Sequence, residues 1–354
     1  MNDETRLQDA LAAIGTNPEA RRVLLDAMLQ VERKLARIDY HVREEVTGPI
    51  VDAMHRDCGT LSVTLDNGVV YTYPYISGLA REIAMNPEER PDYVWEPQTT
   101  RTLLHLAKGA RHVVVGGAYG GDQAVLIAHS LKDAGGTVHC FEPNPVQRAT
   151  LLANIENNGL DNVRVDPRGV WRTDEANLVL VGEDSHAHAE EADAAADDAF
   201  PTVRIATYCA EAGVERIDLL MLDIEGSEHP ALEGAEPFLD MDADTAPVVV
   251  FEIHSKYTDW SKGLGATPIV SLLERHGYTV LALRDMQGAS PDYHPPVEII
   301  PADAVYLEGP HHGFNMLAVK DASVLDDGFF RIVRGVSPKY LRHRTPKLHA
   351  PLPR

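Results

Sequence analysis

The sequence predicts an α/β fold, a mostly parallel sheet with helices on both faces. Two features point there. From Thr99 to Val319, apolar runs of strand length alternate with longer amphipathic stretches, the pattern of strands joined by crossover helices. Within that span, "HVVVGGAYGGDQAVLIAHSL" reads as strand, glycine-rich turn, helix. Such a turn brings backbone amides to a ligand at the carboxyl ends of the strands.

In order, 100–108 reads as helix, 112–115 as strand, 122–131 as helix, 137–141 as strand, 146–157 as helix and 163–165 as a short strand. Strands at 217–222 and 248–253 flank a helix near 230–239. A helix at 267–276 and strands at 278–283 and 315–319 complete the set. "GEDSHAHAEEADAAADDAF" interrupts this order. It is acidic, alanine-rich and aperiodic, and reads as a solvated insertion. His186 and His188 inside it are a weak metal signal.

Residues 1–95 read as a helical region with a small β-hairpin, serving assembly or acting as a lid. Asn17-Pro18-Glu19 is a helix start: a cap, proline at the first helical position, then an acid. Leu24, Met28, Val31, Leu35 and Ile38 then form one apolar stripe, a face for packing or for a second copy, so a homo-oligomer through these helices is expected. "LSVTLDNGVVYTY" places Asn67-Gly68 at a hairpin turn. The catalytic domain is expected over 96–325. No acid follows Asp327, and 326–354 reads as a basic tail, lying loosely on an acidic body or serving as a contact for an anionic substrate or a partner subunit.

Composition narrows the function. The 32 Lys and Arg against 54 Asp and Glu leave a formal charge of −22, which repels a phosphate backbone and argues against nucleic acid as partner. No apolar run approaches the ~20 residues of a membrane span. The N-terminus carries neither a basic leader nor an apolar core, so a cytoplasmic protein is expected. Cys58, Cys140 and Cys209 are scattered and odd in number, against a disulfide framework.

The dinucleotide fingerprint G-x-G-x-x-G fails in the glycine turn, because Ala118 or Tyr119 occupies its third position. Gly117 and Gly121 remain, around Tyr119. The next strand ends "TVHCFEPNP", and Glu142 follows the turn at about the 20-residue spacing of an acid that takes a ribose diol. Together the pair indicates a ribose-bearing cofactor.

The blocks "VVVGGAYGGDQ", "VHCFEPNPVQRATLLANIENNGLDNVRV", "IDLLMLDIEGSEHPALEGAEPFL" and "VVVFEIH" resemble, in this order, the FkbM-like methyltransferases. The resemblance covers about 94–319. It implies a Rossmann-like class I fold and S-adenosylmethionine as cofactor. It implies that Gly117 and Gly121 approach the methionine part, that Glu142 holds the ribose with Asn144 beside it, and that Gly169 and Val170 pass the adenine. Glu96 matches an acid preceding the first core helix. The chain departs from the family at Val115, where an Asp is usual, at Tyr119, where Asn is usual, and at Met221, where Lys is common.

The strand 217–222 ends in Asp223 and Glu225, and its neighbour in Glu252 and His254. An alcohol attacking a methyl group must lose its proton, which needs a base or a metal. Two mechanisms are open. In one, His254 takes the proton, oriented by an acid. In the other, Asp223 and Glu252 bind Mg²⁺ or a similar cation. Beyond them, Lys256, Tyr257 and Trp260 either wall a small-molecule acceptor or serve as ordinary loop anchors, and His311 and His312 read as surface residues. The expected activity is O-methylation of a sugar, polyketide or other specialised metabolite. An N-methyltransferase, a nicotinamide-dependent oxidoreductase and a non-catalytic binding protein are the alternatives.

Overall fold

A computed structural model describes residues 3–35, 42–75, 78–86, 88–182, 188–193, 196, 198–286, 295–308, 313–341 and 344–353. Ile38, His186, His311 and His312 lie outside the described residues. The chain forms two compact units: Met1–Pro97 with Met286–Tyr293 and Tyr340–Arg354, and Gln98–Asp285 with His294–Lys339.

The first unit opens with helices α1 (Asp3–Gly15), α2 (Pro18–Leu35) and α3 (Gly48–His55). Asn17 caps α2 as expected, its side-chain oxygen accepting from the amides of Glu19 at 3.0 Å and Ala20 at 3.1 Å. Leu11, Leu24, Leu25 and Leu29 pack on buried Val51, Met54 and Met85. Within the expected stripe Leu24 joins this core and Leu35 is exposed. The hairpin pairs β1 (Thr60–Thr64) with β2 (Val70–Pro74), antiparallel, and α4 (Gly78–Ala84) follows. Arginines neutralise the acids here. Arg43 contacts Glu82 and, at 2.6 Å, Glu32. Arg81 forks onto Asp52 at 3.0 and 2.7 Å.

In the second unit, α5 (Pro97–Leu106, all but its first residue), β3 (His112–Gly116), α6 (Ala124–Leu131), β4 (Thr137–Phe141), α7 (Pro145–Asn157) and β5 (Val163–Asp166) follow the expected alternation. Then come β6 (Gly169–Val170), β7 (Asn177–Val181), β8 (His188–Glu191), β9 (Phe200–Val203), α8 (Ile205–Ala212), β10 (Leu219–Leu222), α9 (Glu228–Glu233), α10 (Glu236–Leu239) and β11 (Val248–His254). The set closes with α11 (Pro268–Arg275), β12 (Thr279–Leu283), β13 (Val297–Pro301), β14 (Gly313–Val319) and β15 (Phe330–Ile332). The expected helix at 230–239 is broken into α9 and α10 at Gly234, where a Cβ would stand 2.2 Å from the Trp171 carbonyl.

Nine strands form one sheet in the order β15-β13-β12-β14-β11-β10-β3-β4-β5. Strands β5, β4, β3, β10 and β11 are parallel, and β14 is antiparallel to β11 and β12. All four residues of β10 are buried, as befits a central parallel strand covered on both faces. From β3 the chain moves outward through β4 and β5, then returns to lay β10 on the other side of β3. That reversal opens a crevice beyond the carboxyl ends of β3 and β10.

Two regions differ from expectation. The insertion is not merely a solvated loop: β8 pairs antiparallel with β7 in a four-stranded side sheet, β6-β9-β7-β8. The basic tail does not begin loosely: β15 pairs parallel with β13, and Phe330, Val333 and Val336 are buried. The Ser337 carbonyl accepts from fully buried Arg284 at 2.8 Å. Apolar residues between the basic ones anchor the segment, which a charge count does not register. The last helix, α12 (Pro346–His349), belongs to the first unit.

Candidate active site

The turn after β3 fits only small or strained residues. Gly117 has φ +77°, and a Cβ on it would stand 1.9 Å from the Asp223 carbonyl oxygen. Tyr119 has φ +47°, a costly conformation for a bulky side chain and an easier one for Asn. Its amide donates to Glu142 Oε2 at 2.8 Å. Gly121, φ +91°, closes against Val125 and Leu151. Asn154 of α7, fully buried, donates to the Gly120 carbonyl at 2.8 Å and pins the turn from behind.

Glu142 ends β4 and is 6 % exposed. Its Oε1 accepts from the Asn144 amide at 2.9 Å. Each oxygen thus holds a backbone donor and keeps a lone pair for another. Burial pushes its carboxyl up to about 7; the backbone donors oppose that, and the nearby Asp122 charge adds to it. Asp122 is itself pushed up to about 6 by burial.

On the other flank, the Asp223 amide donates to the Gly116 carbonyl at 3.1 Å, extending the β3–β10 ladder by one rung. The chain then turns through Glu225 (φ +49°) and Gly226 (φ +96°). Glu228 holds this left-handed turn. Its carboxylate accepts from the Ile224 amide at 2.9 Å and the Gly226 amide at 3.0 Å. Burial pushes the Glu228 carboxyl up to about 7. Adjacent amides curled around an anion form a nest, and here the anion is the protein's own.

On β11, Glu252 and His254 share a face and both reach over Gly313 of β14. A Cβ there would stand 2.5 Å from Glu252 Oε1 and 2.3 Å from His254 Cδ2. His254 Nδ1 accepts from the Lys256 amide at 2.9 Å. An amide only donates, so the neutral ring carries its proton on Nε2. Tyr257 follows, hydrogen-bonded to Glu225 and to Lys256 Nζ at 3.0 Å.

Residues 115–280 match the family described as the methyltransferase FkbM domain. The chain is 32% identical over 204 residues to the 31-O-demethyl-FK506 methyltransferase FkbM of Streptomyces tacrolimicus, a match spanning 48% of this chain and 74% of that protein. This chain belongs to the FkbM methyltransferase family.

Among solved structures, methyltransferase FkbM from Methylobacillus flagellatus KT is similar at 17% identity and a TM-score of 0.34, over 52% of this chain and 41% of that one. An O-methyltransferase from Bacillus cereus in complex with SAH is similar at 17% identity and a TM-score of 0.35, over 63% and 80%.

As an FkbM methyltransferase, the chain uses S-adenosylmethionine, and the donor set at Glu142 fits that cofactor. A buried carboxylate with a lone pair left on each oxygen suits two adjacent ribose hydroxyls. The turn joins Glu142 and Asp223, since Tyr119 binds the one and Gly117 abuts the other. Val170 lies over Gly116, its Cγ2 3.1 Å from where a Cβ would be. Gly169 owes its lack of a side chain to Phe200, which a Cβ would approach to 2.6 Å.

Other expected residues have different duties. The Asn144 side-chain oxygen caps α7, accepting from Val146 at 2.9 Å. Glu96 belongs to the first unit. Trp260 is buried against Phe314. His254 cannot accept a proton at Nε2 in the tautomer its amide bond dictates. Among the described residues no group of three or more His, Cys, Asp or Glu side chains is arranged to hold a metal ion. Nor is any described helix long and apolar enough to cross a membrane.

Sequence reasoning missed Asn154, Asp122 and the grip of Glu228 on the preceding turn. A signal existed for Glu228: an acid two residues after the glycine of a strand-end turn.

Proposed function

We propose that this FkbM methyltransferase is an O-methyltransferase acting on a hydroxyl of a sugar, polyketide or other specialised metabolite. The observation that carries the reading is the single glycine turn that binds Glu142 on one flank and abuts Asp223 on the other. The Streptomyces relative supports the oxygen acceptor, because its name gives an O-demethylated compound as substrate.

Bound S-adenosylmethionine supplies an electrophilic methyl group on a cationic sulfur. Glu142 holds the ribose hydroxyls. Gly117 and Gly121 keep side chains out of the turn. Asp223 takes the proton of the attacking hydroxyl, a role worth about 10²- to 10⁴-fold in typical enzymes. His254, protonated on Nε2, donates to the acceptor oxygen and orients it. Glu228 positions the turn that carries Asp223 and Glu225.

The test is transfer of a deuterated methyl group to a panel of hydroxylated and aminated acceptors, read by mass spectrometry. Label on oxygen is expected; label on nitrogen alone would replace the reading with N-methylation. We also propose a cytoplasmic homo-oligomer through α1 and α2, which expose Leu7 and Val23. Sedimentation equilibrium showing only monomer would remove that proposal.

A further inference from the structure

The ladder between β10 and β11 ends at Leu222 and Phe251. Asp223 lies one residue past it on one strand, and His254 three residues past it on the other. Strand β11 runs on, paired with β14 as far as His254 and Gly313. The β10 side instead enters the left-handed turn at Glu225 and Gly226. Pairing between β10 and β11 therefore no longer sets the distance between the two side chains that the proposed reaction uses.

Tyr257 spans that gap. Its amide donates to the His254 carbonyl at 3.0 Å, so it belongs to the tight turn that ends β11. Its side chain crosses to the other turn. A Cβ on Gly226 would stand 2.6 Å from its ring, and its hydroxyl meets Glu225. A carboxylate only accepts and an ammonium only donates. The hydroxyl therefore donates to Glu225 and accepts from Lys256 Nζ at 3.0 Å. Burial and the Glu225 charge raise the phenol pKa, and Lys256 opposes them. Tyr257 thus keeps its proton at neutral pH and is no base. Glu225 is held at φ +49°, a conformation that residues with a Cβ seldom adopt. Glu228 grips the backbone of this turn. Tyr257 grips the Glu225 side chain and covers Gly226 from the β11 side.

We propose that Tyr257 is a positioning residue for methyl transfer. It ties the turn that carries Asp223 to the strand end that carries His254, and so fixes the base and the orienting group against each other. The inference rests on the O-methyltransferase reading and deepens it. Tyr257 acts through Glu225 and Gly226, so it is not itself a catalytic residue.

Amide exchange comes first, because it needs no acceptor. In Tyr257→Phe, residues 223–228 are expected to exchange about tenfold faster than in wild type, with β3 and β4 unchanged. Equal exchange in the two proteins overturns the proposal. Turnover comes second, read as deuterated methyl moved to the hydroxylated acceptor that takes up most label in the panel above. In Tyr257→Phe kcat is expected to fall about tenfold. The acceptor KM and the affinity for S-adenosylhomocysteine, by calorimetry, should stay within about threefold. An unchanged kcat overturns the proposal. So does nucleoside affinity lost along with kcat, which would make Tyr257 a support of the fold. Glu225→Met removes the same hydrogen bond from its other end. The double variant should therefore lose no more than either single one, and losses that multiply to about a hundredfold overturn the proposal. Wild type that methylates no acceptor on oxygen sinks the O-methyltransferase reading, and this inference with it. Wild-type transfer that Tyr257→Phe leaves intact sinks the inference alone.

Discussion

Acids with fixed partners appear in both units, and they are held in two different ways. In the first unit Glu32, Glu82 and Asp52 face the guanidinium groups of Arg43 and Arg81. At the strand ends of the second, Glu142 and Glu228 are held by backbone amides. The energetics differ accordingly. An arginine fork neutralises a carboxylate and fills its lone pairs, which suits architecture. Amides fix the position of a carboxylate while leaving its charge and part of its hydrogen-bonding capacity for something else. Burial raises the carboxyl pKa in both states, in Glu142 and Glu228 and also in the arginine-paired Glu82. Glu142 and Glu228 are therefore distinguished from buried Glu82 by partner type, not by burial.

The comparison can be broken most severely at Arg43. Arg43→Met leaves Glu32 and Glu82 facing each other without a cation, at an expected cost of about 5 kcal/mol. Urea unfolding should show it, and a loss under 1 kcal/mol would mean that the arginines are ornamental. Asp223→Asn comes next. Turnover should fall about a thousandfold, roughly 4 kcal/mol in barrier, with S-adenosylhomocysteine affinity within threefold.

Glu228 sharpens the contrast, because its work is positional. Glu228→Ala should lower kcat about tenfold or more as the turn at Glu225 and Gly226 relaxes. Glu228→Gln, which keeps one oxygen acceptor for the Ile224 amide, should recover most of it, as single-turnover rates would show. Equal losses in both variants would assign Glu228 a charge role.

The smallest effect concerns pH. The folded pKa of Glu142, about 7, lies above the ordinary carboxylate value, so the empty site favours the protonated form. Ribose hydroxyls donate best to the ionised form, so binding releases a proton and affinity rises with pH until the carboxyl is fully ionised. Between pH 6 and 8 calorimetry should show about a tenfold gain, at most 1.36 kcal/mol per pKa unit. The nearby Asp122 also titrates and raises the Glu142 value, and the Arg148 charge lowers it. Glu142→Gln is therefore the control, and its profile should be nearly flat.

Much of the sheet was legible because its strands are buried on both faces. Runs such as Leu219–Leu222 admit few other readings. Glu142 and Asp223 were legible because strand ends are punctuated by charge. The side sheet was not, since His188–Glu191 is polar and its pairing with β7 is tertiary. Strand β15 was hidden by its basic neighbours. The tautomer of His254 was out of reach, because it depends on one backbone amide that no side-chain pattern encodes. The grip of Glu228 on the preceding amides emerged only from the turn's left-handed path.

The first unit takes Met1–Pro97 from the start of the chain and Tyr340–Arg354 from its end. During synthesis its opening helices leave the ribosome long before the residues that complete the body. At ~5–20 residues per second that interval spans many seconds. The sheet, by contrast, has all of its strands once Ile332 has emerged. The newborn chain can therefore finish its catalytic scaffold before α12 has emerged to complete the first unit.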